Sequence, residues 1–243
     1  MKKLFLILIL MLSACQGIVP PESFVYQEIQ TVSYRLASWQ KIEDKKSPIR
    51  IYIEGDGYAF NRLGLPTNNP TPHSDFLRKI AFNDPNKNVI YLGRVCQYVK
   101  DERCSQKDWT TGRFSKEIIE ATAQAIQKIS AKQPVILIGY SGGALISGLV
   151  IQQDPKLPVQ KWITIAGVLN HTKWTKDLSL PALTDSVDLE KLPNVKQQHF
   201  VGDKDKIVSW RLTKSLVADA DLLLVPGATH DSGFDEYVPL IYR

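Results

Sequence analysis

Residues 134–151 read PVILIGYSGGALISGLVI, and the fold follows from how this stretch is read. Val135 opens a short apolar run to Ile138, rich in β-branched residues and preceded by Pro134, the pattern of a buried strand. Gly139-Tyr140-Ser141-Gly142-Gly143 follows at once, and residues 144–151 resume with small and apolar side chains at helical spacing. Strand, tight turn carrying a serine, helix is the setting in which G-x-S-x-G forms a nucleophile elbow. The turn strains the serine backbone, and glycines two before and two after it let strand and helix approach closely. The plain alternative is a glycine-rich loop with an incidental serine; the strand before and the helix after weigh against it.

Outward from this stretch, strand patterns alternate with helix patterns. Strands are expected at 49–53, 88–92, 159–165, 195–201 and 221–225, and helices at 74–82, 114–130, 208–217 and 234–242. Residues 24–40 alternate apolar and polar side chains and read as one or two antiparallel strands at a sheet edge. This order predicts one α/β domain over residues 24–243, with a mostly parallel central sheet and helices on both faces. Residues 168–194 lack clear periodicity and exceed a routine connection, which suggests a lid or a pocket wall.

The first residues read differently. Lys2 and Lys3 precede unbroken apolar sequence from Leu4 to Leu12, closed by Ser13, Ala14 and Cys15. Residues 1–14 therefore read as a signal peptide, too short for a membrane span. Leu12-Ser13-Ala14-Cys15 resembles a bacterial lipobox, with Cys15 lipidated; an ordinary signal with an incidental cysteine is the alternative. Residues 15–23, with Pro20 and Pro21, read as a tether. Gln16 after the cysteine resembles the outer-membrane sorting pattern, so the expected location is the cell envelope, lipid-anchored and facing the periplasm. In an oxidising compartment Cys96 and Cys104, close together in a polar loop, are most simply a disulfide; zinc binding is the weaker alternative.

With 243 residues, 44% hydrophobic and 23% charged, the chain has an ordinary globular composition. Lys2 and Lys3 account for two of the net +5 charges, and the remaining +3 is scattered, which argues against nucleic acid as a partner. The one dense basic cluster, Lys41, Lys45, Lys46 and Arg50, is interrupted by acids and reads as a solvated loop.

A reactive serine needs a base, an acid to orient the base, and donors for the oxyanion, all at the carboxyl ends of parallel strands. Of four histidines, His199 sits within a strand pattern, His73 in a proline-rich loop and His171 in the aperiodic stretch. His230 follows the last strand and completes the order serine, acid, histidine, so it is the expected base. Asp203 and Asp205 compete for the acid; Asp205 has the Gly-x-x-Asp-x-x-Val spacing, and Asp203 reads as a turn former. Gly142, at the helix start, would give one oxyanion N–H. The second is expected from Glu54-Gly55-Asp56-Gly57, where Asp56 is an odd neighbour for a developing negative charge. The acidic side chain there either points away or recognises a positive substrate group.

On these residues the chain resembles the α/β-hydrolase superfamily. It is also similar to an uncharacterised bacterial set that shares Ile-Glu-Gly-Asp-Gly, Asn69-Pro70-Thr71-Pro72, Arg94 with Cys96-Gln97-Tyr98, and Trp109-Thr110 before Arg113-Phe114. The resemblance implies an esterase or acyl hydrolase acting on a small-molecule or lipid-like substrate, without a metal or cofactor. The Glu-Gly-Asp-Gly segment departs from the more usual His-Gly oxyanion segment; matching Gly55 to that segment's Gly implies Asp56 as the second N–H donor. A non-catalytic envelope protein that kept the fold for binding or assembly is the competing reading.

Overall fold

The computed structural model describes residues 19–99 and 101–243. The expected signal peptide and the expected lipidation site Cys15 lie outside the described residues, as do residues 16–18 of the tether. Eight strands form one sheet: β1 (Val25–Gln30), β2 (Arg35–Ile42), β3 (Ile49–Ile53), β4 (Asn88–Leu92), β5 (Val135–Tyr140), β6 (Val159–Ile165), β7 (Lys196–Gly202) and β8 (Leu222–Val225). Their order across the sheet is β1-β2-β4-β3-β5-β6-β7-β8. β1 pairs antiparallel with β2, and β2 antiparallel with β4; all other neighbours are parallel. The expected antiparallel edge and parallel body are both present.

Side chains alternate between the two faces of this sheet, as a pleated strand requires. Ile49, Ile51 and Ile53 of β3 join one core, with Val135 and Leu137 of β5; Tyr52, Ile138 and Tyr140 join the other. The first core packs under α2 (Lys116–Ser130) and α3 (Gly142–Gln153). The second packs under α1 (Phe76–Phe82) and α6 (Val238–Ile241). α3 is buried around its whole circumference from Gly142 to Val150, which is why its sequence carries no polar face. α2 is amphipathic, and its Ser115 cap accepts the Ile118 N–H.

Several boundaries differ from expectation for local reasons. α5 spans only Trp210–Lys214, because the Asp205 carboxylate takes the N–H groups of Ile207 and Val208 and holds that stretch as a turn. The expected terminal helix divides into a 3₁₀ turn, Asp235–Tyr237, and the short α6, which has Pro239 in its first turn. Residues 168–194 contain α4 (His171–Asp177), capped by Asn170 and by Asp188, which accepts the His171 and Thr172 N–H groups. Arg50 is a correction. It is not part of a solvated loop but is buried in β3, with Nε 2.7 Å from Asp84 Oδ2. The Tyr52 hydroxyl donates to the same oxygen at 2.6 Å, so the charge is paired and hydrogen-bonded. The Cys96 and Cys104 sulfurs are joined at 2.07 Å.

Candidate active site

Four strand ends converge on one cleft. β5 ends in Tyr140, and Ser141 follows with φ 50° and ψ −121°. Positive φ is costly for a residue with a side chain, and here close packing holds it. A Cβ on Gly139 would lie 2.5 Å from Ala144 Cα, and one on Gly143 would lie 2.3 Å from the Ile53 carbonyl oxygen. Only glycine fits at either side of the turn, which is the physical content of the motif.

His230 follows β8, and its Nε2 lies 3.0 Å from Ser141 Oγ. Its Nδ1 lies 2.9 Å from Asp205 Oδ2, in the loop after β7. The Asp205 side chain is fully buried, while its other oxygen accepts the Ile207 and Val208 N–H groups at 2.7 and 2.9 Å. These donors fix the carboxylate plane and leave Oδ2 for the imidazole. With Nδ1–H donating to Asp205, Nε2 is free to accept from the serine hydroxyl; this tautomer is assigned from the partners. Asp203 instead accepts the Gly227 N–H at 2.7 Å and ties the two loops together.

The other histidines lie elsewhere or do other work. His199 is enclosed in β7, and burial lowers its pKa to about 4. His171 stacks on Phe114, with ring centroids 5.8 Å apart, and its Nε2 is 3.6 Å from Asp188. His73 stacks on Tyr58 at 4.0 Å and lines the cleft, a placement that its proline-rich surroundings did not signal.

The segment after β3 lies directly against the serine. A Cβ on Gly55 would be 3.0 Å from Ser141 Cβ, and one on Gly142 would be 2.1 Å from Asp56 Oδ1. Gly142 opens α3, where helix N–H groups lack intrahelical acceptors. The Asp56 carboxylate neither points into open solvent nor waits for a cation: it pairs with Arg94 and with Arg113, the latter at 2.5 Å. Burial would raise its pKa, but the two guanidiniums outweigh that and hold it below the ordinary value. Glu54 is buried beside it, accepts the Gly55 N–H at 2.8 Å and the Tyr91 hydroxyl, and has its pKa raised by burial.

The cleft encloses ≈ 470 Å³, and Tyr58, Phe60, Phe76 and Tyr140 give it an aromatic wall. Trp174 of α4 closes another side, its indole N–H donating to the Ile207 carbonyl at 2.8 Å. The aperiodic 168–194 stretch therefore contributes a cleft wall. Among the described residues no group of three or more His, Cys, Asp or Glu is gathered to hold a metal ion.

No protein-family model matches the sequence, and no curated protein matches it. Solved structures do. Est1E from Butyrivibrio proteoclasticus is 13% identical with a TM-score of 0.60, covering 89% of this chain and 94% of that one. A predicted CIB-like hydrolase from Thermoplasma acidophilum is 17% identical with a TM-score of 0.59, covering 90% and 96%. An α/β serine hydrolase without a lid from Xanthomonas campestris is 14% identical with a TM-score of 0.52, covering 93% of each. The chain has the α/β-hydrolase fold. Parallel α/β sheets place their ligand sites at the carboxyl ends of the strands, and here Asp56, Ser141, Asp205 and His230 follow β3, β5, β7 and β8.

Proposed function

We propose that this chain is a serine hydrolase that cleaves a carboxylic ester through an acyl-enzyme intermediate. The observation that carries this reading is the relay Ser141 Oγ, His230 Nε2, His230 Nδ1, Asp205 Oδ2, with separations of 3.0 and 2.9 Å. Ser141 Oγ attacks the carbonyl carbon while His230 Nε2 takes its proton, and Asp205 supports the imidazolium that forms. The C–O bond to the leaving group then breaks as His230 returns the proton to that oxygen. Water, deprotonated by the same nitrogen, attacks the acyl-serine, and the bond from the acyl carbon to Ser141 Oγ breaks as His230 returns the proton to Oγ, freeing the acid. The N–H groups of Gly142 and Asp56 hold the oxyanion, each worth on the order of 3 kcal/mol in the transition state. Thioesters and amides present the same carbonyl; the aromatic wall of the cleft favours apolar acyl or leaving groups over charged ones. Lipidated Cys15 would hold the enzyme to the envelope, facing the periplasm.

A fluorophosphonate probe is expected to label the wild type and to leave Ser141→Ala unlabelled, with hydrolysis of p-nitrophenyl acetate lost in parallel. Folded wild type that resists the probe would overturn the assignment of Ser141.

A further inference from the structure

The Asp56 carboxylate is gripped from both sides. Arg94 Nη1 donates to Oδ1, and Arg113 Nη1 donates to Oδ2 at 2.5 Å. The two arginines are themselves joined, because Arg94 Nη2 donates to the Arg113 carbonyl. Arg113 Nε donates to the Thr110 carbonyl at 2.8 Å, so its guanidinium is fixed at two points. Gln97 completes the grip: its Nε2 donates to the Gly55 carbonyl at 2.9 Å, and its Oε1 accepts the Arg94 N–H at 3.1 Å. Both arginine side chains are nearly sealed from solvent, at 6% and 7% exposure.

On its other side the same carboxylate rests on the backbone of Gly142. A Cβ there would lie 2.1 Å from Asp56 Oδ1 and 2.8 Å from Arg94 Nη1. One side chain thus touches the residue that carries the first oxyanion N–H, while its own backbone carries the second. We propose that Arg94, Arg113 and the Asp56 carboxylate are positioning residues that set the spacing of these two N–H groups, and that the carboxylate is what confines position 142 to glycine. This rests on the serine-hydrolase reading. It also accounts for an acid beside a developing negative charge. The two guanidiniums offset the Asp56 charge, so the acid is neutralised where the oxyanion develops.

The test uses p-nitrophenyl acetate, with turnover expressed per fluorophosphonate-labelled site and a thermal melt for each variant. Arg113→Lys keeps the charge but loses the two-point fork, and Asp56→Asn keeps the shape but loses the charge pairing. Displacing a reacting group by about 1 Å costs on the order of 10²-fold. Both variants should therefore lose roughly that in kcat, with KM within about twofold. Gly142→Ala should suffer similarly, yet add little further loss in an Asp56→Gly background, where the 2.1 Å contact is gone and only the end of the Arg94 side chain, at 2.8 Å, has to shift. Such non-additivity is the signature of direct contact. Per-site kcat within about threefold of wild type for Arg113→Lys and Asp56→Asn, or additive losses in the Gly142 and Asp56 cycle, would overturn the proposal. If Arg113→Lys does not fold, Asp56→Asn and the cycle decide. Failure of the hydrolase reading itself looks different, since the wild type would then neither label nor turn over.

Discussion

His199 lies in β7 with no solvent exposure, its Nδ1 2.8 Å from Thr164 Oγ1 and its Nε2 3.0 Å from Gln197 Oε1. Burial lowers its pKa from 6.5 to about 4, so folding disfavours its protonation. The stability that this neutral ring contributes is present above about 6.5 and is lost as pH falls toward 4, on the order of 3 kcal/mol in all. Urea unfolding at several pH values should show this loss between 6.5 and 4, and His199→Gln should flatten the curve in that window. An unchanged slope in the variant would rule His199 out as the source. At this scale, the residues legible in the sequence were those tied to a local pattern: Ser141 in its turn, Asp205 in its spaced loop, His230 after the last strand. Asp56 was legible only in part. Its proposed backbone role rests on its place after Gly55, but its partners Arg94 and Arg113 lie 38 and 57 positions away, and no local pattern pairs them. The stacking of His73 on Tyr58 was hidden for the same reason.

The loop between β4 and α2 shows what an element contributes beyond its own stability. Cys96 and Cys104 close it, and Arg94 and Gln97 at its near end hold the Gly55 carbonyl and the Asp56 carboxylate. Cross-linking a loop this short stabilises by about 2.5 kcal/mol through the unfolded state. Reduction, or a Cys96→Ser/Cys104→Ser pair, should therefore lower the melting temperature by several degrees. If Asp56 carries the second oxyanion N–H, the same change should also lower kcat on p-nitrophenyl acetate more than it changes KM, because slack in the loop reaches the segment after β3 through Arg94 and Gln97. Equal melting curves and equal turnover with and without reductant would show that the loop holds without its bridge. α2 was readable from its apolar spacing, and β5 and α3 from their places on either side of the Ser141 turn. The short helices were not: α5 is trimmed by the Asp205 carboxylate, which accepts the Ile207 and Val208 N–H groups, and α6 by a 3₁₀ turn, neither of which apolar spacing encodes.

At the scale of the whole molecule, alternation of strand and helix patterns made the α/β class legible, and export-like residues before it suggested where the domain works. Strand order was not legible, since β3 lying between β4 and β5 depends on pairings between distant segments. The order matters because it brings the ends of β3 and β5 side by side, and with them Gly55 and Ser141. The chain enters this body at the opposite edge of the sheet from β8: Phe24, just before β1, packs on Phe82 with ring centroids 4.9 Å apart. An extended chain advances at most roughly 3.5 Å per residue, so residues 15–23 reach on the order of 30 Å. If Cys15 is lipidated, the domain is held within that distance of the bilayer. In a Gram-negative host, the wild type is then expected in the membrane pellet, extractable by detergent and labelled by a palmitate analogue. Cys15→Ser should lose the label and leave the pellet. Turnover of a soluble ester per labelled serine should not change, because the anchor precedes β1 and the site lies at the other strand ends. A wild type that stays soluble and unlabelled, or a Cys15→Ser variant that still sediments with membranes, would detach the anchor from Cys15 while leaving the chemistry at Ser141 untouched.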